Sequence, residues 1–187
     1  NVAIKDGWGS GIDFISPAEN IRIENVSVSN GSSYSIHVVE FPLLPLKSLT
    51  LQNQWMGGAA NRFEGNNNDG RNGVLMMNAS PRVGSSSVPI AIEKNEFMKN
   101  GGEYSVMLSM QGLNAANGSF RANQLRDNIN SAATVVLTSP YYRVDGNQFA
   151  NPLSAHELDV RSNGSWKLQA ADNDWATSDM TKAIRAP

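Results

Sequence analysis

The chain has 187 residues, 40% of them apolar and 17% charged, with a net charge of −2. Its 15 basic and 17 acidic residues are scattered, which leaves no basic stripe for a phosphate backbone, and no run reaches the roughly 18 consecutive apolar residues of a spanning helix. The lack of cysteine excludes thiol catalysis, disulfides and cysteine-bound metal, while 22 asparagines, with serine and glycine, supply an uncharged polar surface suited to tight turns.

The chain begins Asn1-Val2-Ala3-Ile4-Lys5 without a starting Met or a signal-peptide pattern and stops at Arg185-Ala186-Pro187. One segment over 1–187, part of a larger protein, is the expectation. Gly7-Trp8-Gly9-Ser10-Gly11 reads as a turn, because it lacks the spacing and the lysine of a phosphate-binding loop. A recurring form starts at Ile23-Glu24-Asn25-Val26-Ser27-Val28-Ser29-Asn30. Tyr34-Ser35-Ile36-His37-Val38 follows as an alternating strand with His37 pointing outward. The form returns at Leu51-Gln52-Asn53-Gln54-Trp55-Met56-Gly57-Gly58. Gly57 to Gly73, rich in glycine and asparagine, then reads as a loop inserted into one coil. Further copies are Ile92 to Asn100, Ala122 to Asn128, Val144 to Asn151 and Ala170 to Trp175. Strands such as Ser105-Val106-Met107-Leu108 and Thr134-Val135-Val136-Leu137 lie between them.

The shared core is an apolar residue, a short gap, Asn, one polar residue and a large apolar residue. Anchor positions Asn25, Asn53, Asn95, Asn123, Asn147 and Asn173 differ by 28, 42, 28, 24 and 26. Steps of roughly 20 to 30 residues are those of a solenoid coil built from short strands and turns. The expected fold is therefore all-β, a right-handed parallel β-helix of about six or more coils. An anchor Asn tolerates the left-handed angles of a sharp turn, and its amide can bond the Asn one coil above. Val28, Trp55, Phe97, Leu125, Phe149 and Trp175 would then stack inside, about 4.8 Å apart. A β-sandwich or jelly roll also has short strands and Gly/Asn turns, but gives no reason for this signature to recur.

Within that repeat, Phe97-Met98-Lys99-Asn100-Gly101-Gly102-Glu103-Tyr104 is followed by Asn147-Gln148-Phe149-Ala150-Asn151-Pro152-Leu153-Ser154 with Glu157, and by Asp172-Asn173-Asp174-Trp175-Ala176-Thr177. This ordered series resembles the β-helix domains of the bark beetle (anakonda) class of cell-surface proteins, over about residues 20 to 187. Met180 to Ile184 matches that class's short tail, and Ala176 departs from its usual Gly. The resemblance implies an extracellular, non-catalytic module for adhesion and junction organisation.

Many parallel β-helices cleave acidic polysaccharides, a chemistry that needs clustered carboxylates and a base. Asp172, Asp174 and Asp179 form the closest cluster, but lack the Gly and terminal Glu of a calcium loop. Glu64 to Arg71, with Asp69, reads as a solvated loop, and His37 and His156 read as surface residues. The sequence assigns no catalytic, cofactor-binding or metal-binding residue and no cofactor. Sequons stand at Asn25, Asn30, Asn78, Asn117 and Asn163; Asn25 is instead expected in the ladder, and the other four are candidate glycan sites.

The expected function is a structural and interaction module of a large extracellular or cell-surface protein, active in scaffolding, adhesion or filament assembly. The loops Gly57–Gly73 and Ala79–Ser87 would face partners. Expected partners are other domains or chains covering the coil ends, with glycans as a further class, and neither nucleic acid nor membrane. The alternative is a polysaccharide lyase or hydrolase, or a carbohydrate-binding module, on the same fold. A row of acids and aromatics on one outer face would favour it, and the expectation is that the aromatics point inward.

Overall fold

The computed structural model describes residues 2–7, 11–15, 20–39, 48–52, 61–66, 75–79, 90–110, 118–138, 142–161 and 168–186. The chain winds in rounds of three strands. The first is β1 (Val2–Lys5), β2 (Ile12–Ile15) and β3 (Asn20–Ile23). β4 (Val26–Ser29), β5 (Ile36–Val39) and β6 (Ser48–Gln52) form the second, and β7 (Arg62–Glu64), β8 (Leu75–Ala79) and β9 (Ile90–Glu93) the third. Then come β10 (Glu96–Met98), β11 (Tyr104–Met110) and β12 (Gly118–Arg121), followed by β13 (Gln124–Arg126), β14 (Ala133–Leu137) and β15 (Tyr142–Asp145). The sixth round keeps β16 (Gln148–Ala150) and β17 (Leu158–Val160), with Gln169 bridging to Arg143. The last elements are β18 (Asp174–Trp175), the helix α1 (Met180–Ala183) and β19 (Ile184–Arg185).

Each strand from β1 to β14 pairs in parallel with the strand three places on, and β16 and β17 pair with β18 and β19, two places on, which makes this a parallel β-solenoid. The first sheet runs β1-β4-β7-β10-β13-β16-β18, the second β2-β5-β8-β11-β14-β17-β19 and the third β3-β6-β9-β12-β15. The third sheet, from β3 to β15, spans about four turns, slightly fewer than the six or more coils expected, because beyond β15 only the first two sheets continue among the described residues.

Alternation along each strand puts every second residue inside. Ile23, Leu51, Ile92, Phe120 and Val144 form one stack, and Val28, Phe63, Phe97, Leu125 and Phe149 another, all buried. Phe63 and Phe97 stack with centroids 5.0 Å apart, and Phe149 and Trp175 at 4.6 Å. Each such side chain contributes about 1.5–3 kcal/mol by leaving water. Gly118 faces Tyr142, and a Cβ there would collide with the Tyr142 ring; this is why the stack has a glycine beside its tyrosine.

Two asparagine ladders hold the turns. The first, between the third and first sheets, consists of Asn61, Asn95, Asn123, Asn147 and Asn173. In Asn123 the side-chain amide donates to Asn147 Oδ1 and to the Ile92 carbonyl, each at 3.0 Å. Its Oδ1 accepts from the Asn95 backbone N–H and the Asn95 amide, both at 3.0 Å. Both amide hydrogens and both carbonyl lone pairs are thus used. The second ladder, between the first and second sheets, is Asn66, Asn100, Asn128 and Asn151. The residue before each ladder position is left-handed where φ is positive, as at Lys94 (58°), Lys99 (53°), Ala122 (52°) and Asp127 (57°). For a non-glycine residue that costs roughly 1–2 kcal/mol, which the ladder bonds offset.

Three expectations about the ladder are corrected. Asn25 stands one residue before the ladder position, with φ 55°, and Val26 occupies the position itself, its N–H donating to Asn61 Oδ1 at 2.8 Å. Asn53 and Trp55 lie outside the described residues, and the anchor and interior aromatic of the third round are Asn61 and Phe63. Part of Gly57–Gly73 is therefore coil, because β7 and ladder residues Asn61 and Asn66 sit inside it. The expected steps of 28 and 42 become spacings of 35 from Val26 to Asn61 and 34 from Asn61 to Asn95.

Replacing Asn123 by Ala strands two buried donors on Asn95 and the Ile92 carbonyl, each worth about 1–3 kcal/mol. Urea denaturation should show Asn123→Ala losing at least about 3 kcal/mol. Asn25→Ala should lose no more than about 1 kcal/mol, the difference between asparagine, which tolerates the left-handed region, and alanine, which does not.

Candidate functional site

Apart from the ladders, the sequence-derived candidates are dispersed. Asp172 is a left-handed turn residue with φ 54°, Asp174 lies on β18, and Asp179 caps α1 by accepting from the Thr181 N–H at 3.0 Å. Glu64 is paired with Arg62 at 2.9 Å and Lys99 at 3.4 Å. Asp69, Asn117 and Asn163 lie outside the described residues, as does most of Ala79–Ser87. Asn78 lies on β8. Asn30 is exposed, with φ 56°, and its amide donates to Asp6 Oδ1 at 3.1 Å. His156 Nδ1 lies 3.2 Å from the Thr181 carbonyl.

The outer face of the second sheet gathers what the sequence leaves apart. Strand pairing puts Asp13, His37, Met76, Met107, Val136, Asp159 and Arg185 at one register position of successive strands. Tyr34 stacks on His37 with ring centroids 4.6 Å apart and planes 12° from parallel. His37 Nδ1 lies 3.1 Å from the Asp13 carboxylate. Tyr104, Ala133 and Val136 form a buried cluster separate from the inner core, with Tyr34 and Met107 packed against it.

The face exists because alternation slips by one residue where the chain enters the second sheet. Ser35 and Ile36 are both buried, as are Ser105 with Val106 and Thr134 with Val135. Ser105 donates to Asn130 Oδ1 at 3.0 Å, and Thr134 to Glu157 Oε2 at 3.0 Å. Two consecutive inward residues reverse the phase, so Tyr34 and Tyr104 join the outer cluster although they are two residues from inward Ile36 and Val106. Strict alternation therefore misses both. The signal that could have found them is the small hydroxyl residue, Ser35 or Ser105, between each tyrosine and the apolar residue that follows it.

At the other end of the face, Asp159 is buried between two guanidiniums. It accepts from Arg161 Nε at 2.6 Å and from Arg185 Nε at 2.8 Å, and Arg161 also bonds Glu103 at 3.0 Å. Burial pushes the Asp159 carboxyl up, but bonds and charge from Arg185 and Arg161 together outweigh it and hold the group below its usual range. Tyr104 goes the other way: burial, then its hydrogen bond with Tyr34, pushes its hydroxyl well above the ordinary tyrosine value.

A concavity of about 400 Å³ lies beside the last residues of the second ladder and is lined by Asn151, Ser154, Glu157, Thr177 and Lys182 among others. Glu157 fills the place of a further ladder asparagine. Its carboxylate accepts from the Asn151 N–H at 2.9 Å and the Asn151 amide at 2.7 Å. An acceptor-only group is the chemistry that ends a donor-to-acceptor run. Among the described residues no group of three or more His, Cys, Asp or Glu side chains is arranged to hold a metal.

No protein-family description, curated protein or solved structure matches the chain.

The Asp159 carboxyl ionises more easily folded than unfolded, so its contribution to stability is full at neutral pH and is lost as pH falls through the lowered folded value. Asp159→Asn should lower stability at pH 7 and make the decline in acid shallower than in the parent. Denaturant melts at pH 7 and at successively lower pH check both.

Proposed function

We propose that this solenoid is a non-catalytic structural and interaction module of a large extracellular or cell-surface protein, holding neighbouring segments at a fixed separation. The observation that carries the reading is the pair of ladders, which lock successive turns together through fully bonded amides. A rod stiffened in this way suits scaffolding, adhesion or filament assembly. The resemblance of Gly101 to Trp175 to the bark beetle class supports the same reading and an extracellular setting for the module. The exposed Asn30 sequon suits a glycoprotein; Asn78, Asn117 and Asn163 are further proposed acceptors.

Other protein domains or chains are the proposed partners at the sheet edges. β1 pairs on one side with β4, and Val2 on it is 55% exposed, so its other edge offers backbone groups to an added strand. A polysaccharide lyase or hydrolase is the second reading, favoured by the carboxylates and arginines on the outer face of the second sheet.

The purified chain, incubated with acidic and neutral polysaccharides, should release no new reducing ends and should self-associate in light scattering. Release abolished by Asp159→Asn, with circular dichroism unchanged, would turn the reading to an enzyme, and a stable monomer would remove the edge-pairing proposal.

A further inference from the structure

The interior rings and the outer rings of this solenoid are built for different tasks. Phe63, Phe97, Phe120 and Phe149 are no more than 1% exposed, whereas Tyr34 and His37 lie stacked and only partly buried on the outside of the coil. A flat pair of rings held in place by packing presents an apolar face at little further cost in conformational entropy. Beside it Asp13 is fixed by His37, and toward the other end of the face Asp159, Arg161, Arg185 and Glu103 are fixed by one another. Asp13, Glu103, Arg161 and Arg185 retain hydrogen-bonding capacity beyond those pairings, since a carboxylate offers about four lone-pair sites and a guanidinium five N–H donors, whereas buried Asp159 serves to position the two arginines.

Three features narrow the ligand class. Rings and hydrogen-bonding pairs on one face match a molecule that has both apolar C–H faces and vicinal hydroxyls, namely a sugar. Charge on the face nearly cancels, with Asp13, Glu103 and Asp159 against Arg161 and Arg185, and Asp13 and Glu103 are 40% and 42% exposed. That balance gives a polyanion no net attraction. Finally, the groups lie along the stacking direction toward the two ends of the sheet, Asp13 and His37 on β2 and β5 and Asp159 and Arg185 on β17 and β19, with β8, β11 and β14 between them and successive strands about 4.8 Å apart. Two polar groups so separated suit an extended polymer better than a single sugar unit.

We propose that the outer face of the second sheet, from Asp13 and the Tyr34–His37 stack to Arg161 and Arg185, binds an uncharged glycan chain lying along the rod. This rests on the reading of the solenoid as an interaction module and names the partner that its outer face takes. Tyr34 supplies the stacking surface, and the arginine–carboxylate cluster bonds the hydroxyls.

The test is calorimetric titration of the full chain with hexasaccharides of β-1,4-glucan, β-1,3-glucan, β-1,4-mannan and β-1,4-xylan, with oligogalacturonate as the charged comparison. Saturable binding of at least one neutral hexasaccharide, weakened at least about tenfold by Tyr34→Ala and unchanged by Glu64→Gln on the first sheet, is the expected result. Flat titrations with all four neutral probes overturn the proposal. So does preferential binding of oligogalacturonate, or full binding by a Tyr34→Ala chain with native circular dichroism. The module reading fails by a different sign, reducing-end release, so the two outcomes are separable.

Discussion

Buried side-chain amides that must all be bonded are the constraint on which this molecule depends. A parallel coil has to turn sharply between sheets, and each turn leaves backbone N–H and C=O groups inside, where an unmet group costs about 1–3 kcal/mol. Asparagine at one position per turn meets that demand, because its amide reaches a carbonyl one coil back and the next amide along the axis. The left-handed residue before it, the parallel register and the aromatic stack then follow. Once the amides align, Phe63 must lie over Phe97 and Phe149 over Trp175. The run ends where the chemistry changes: Val26 and Gly31 only donate through their backbones, and Glu157 only accepts.

The same geometry generates the outer face. At two entries into the second sheet a residue is spent on satisfying the turn, Ser105 bonding Asn130 and Thr134 bonding Glu157, and there and at Ser35 the extra inward residue reverses the strand's phase. Tyr34 and Tyr104 are displaced outward as a result, into a cluster of their own beside His37 and the Asp159 arginines. The proposed interaction surface is thus a by-product of how the chain enters the second sheet, which ties the proposed binding function to the proposed structural one.

The solenoid was legible in the sequence because its determinant is local: Asn, a polar residue and a large apolar residue recur at Asn95, Asn123 and Asn147 with strand-length alternation between them. Around Asn25 and Asn53 the reading slipped, for a physical reason. Asn also suits the left-handed position just before the ladder, so Asn25 carries the right residue type one place early. β7 was hidden because three residues with a single aromatic, flanked by Gly and Asn, are indistinguishable from a loop until a neighbouring coil pairs with them. The outer face was beyond reach because it joins positions as far apart as Asp13 and Arg185, and because strict alternation puts its two tyrosines on the wrong side.

Hydrogen exchange of the asparagine side-chain amides, read by nuclear magnetic resonance, tests the ladder most directly. The amides of Asn95, Asn123 and Asn147 should exchange only through opening of the coil, with protection close to that of the slowest backbone amides, while the Asn25 amide exchanges near the rate of free amide. Ladder amides that exchange as fast as Asn25 would contradict the account.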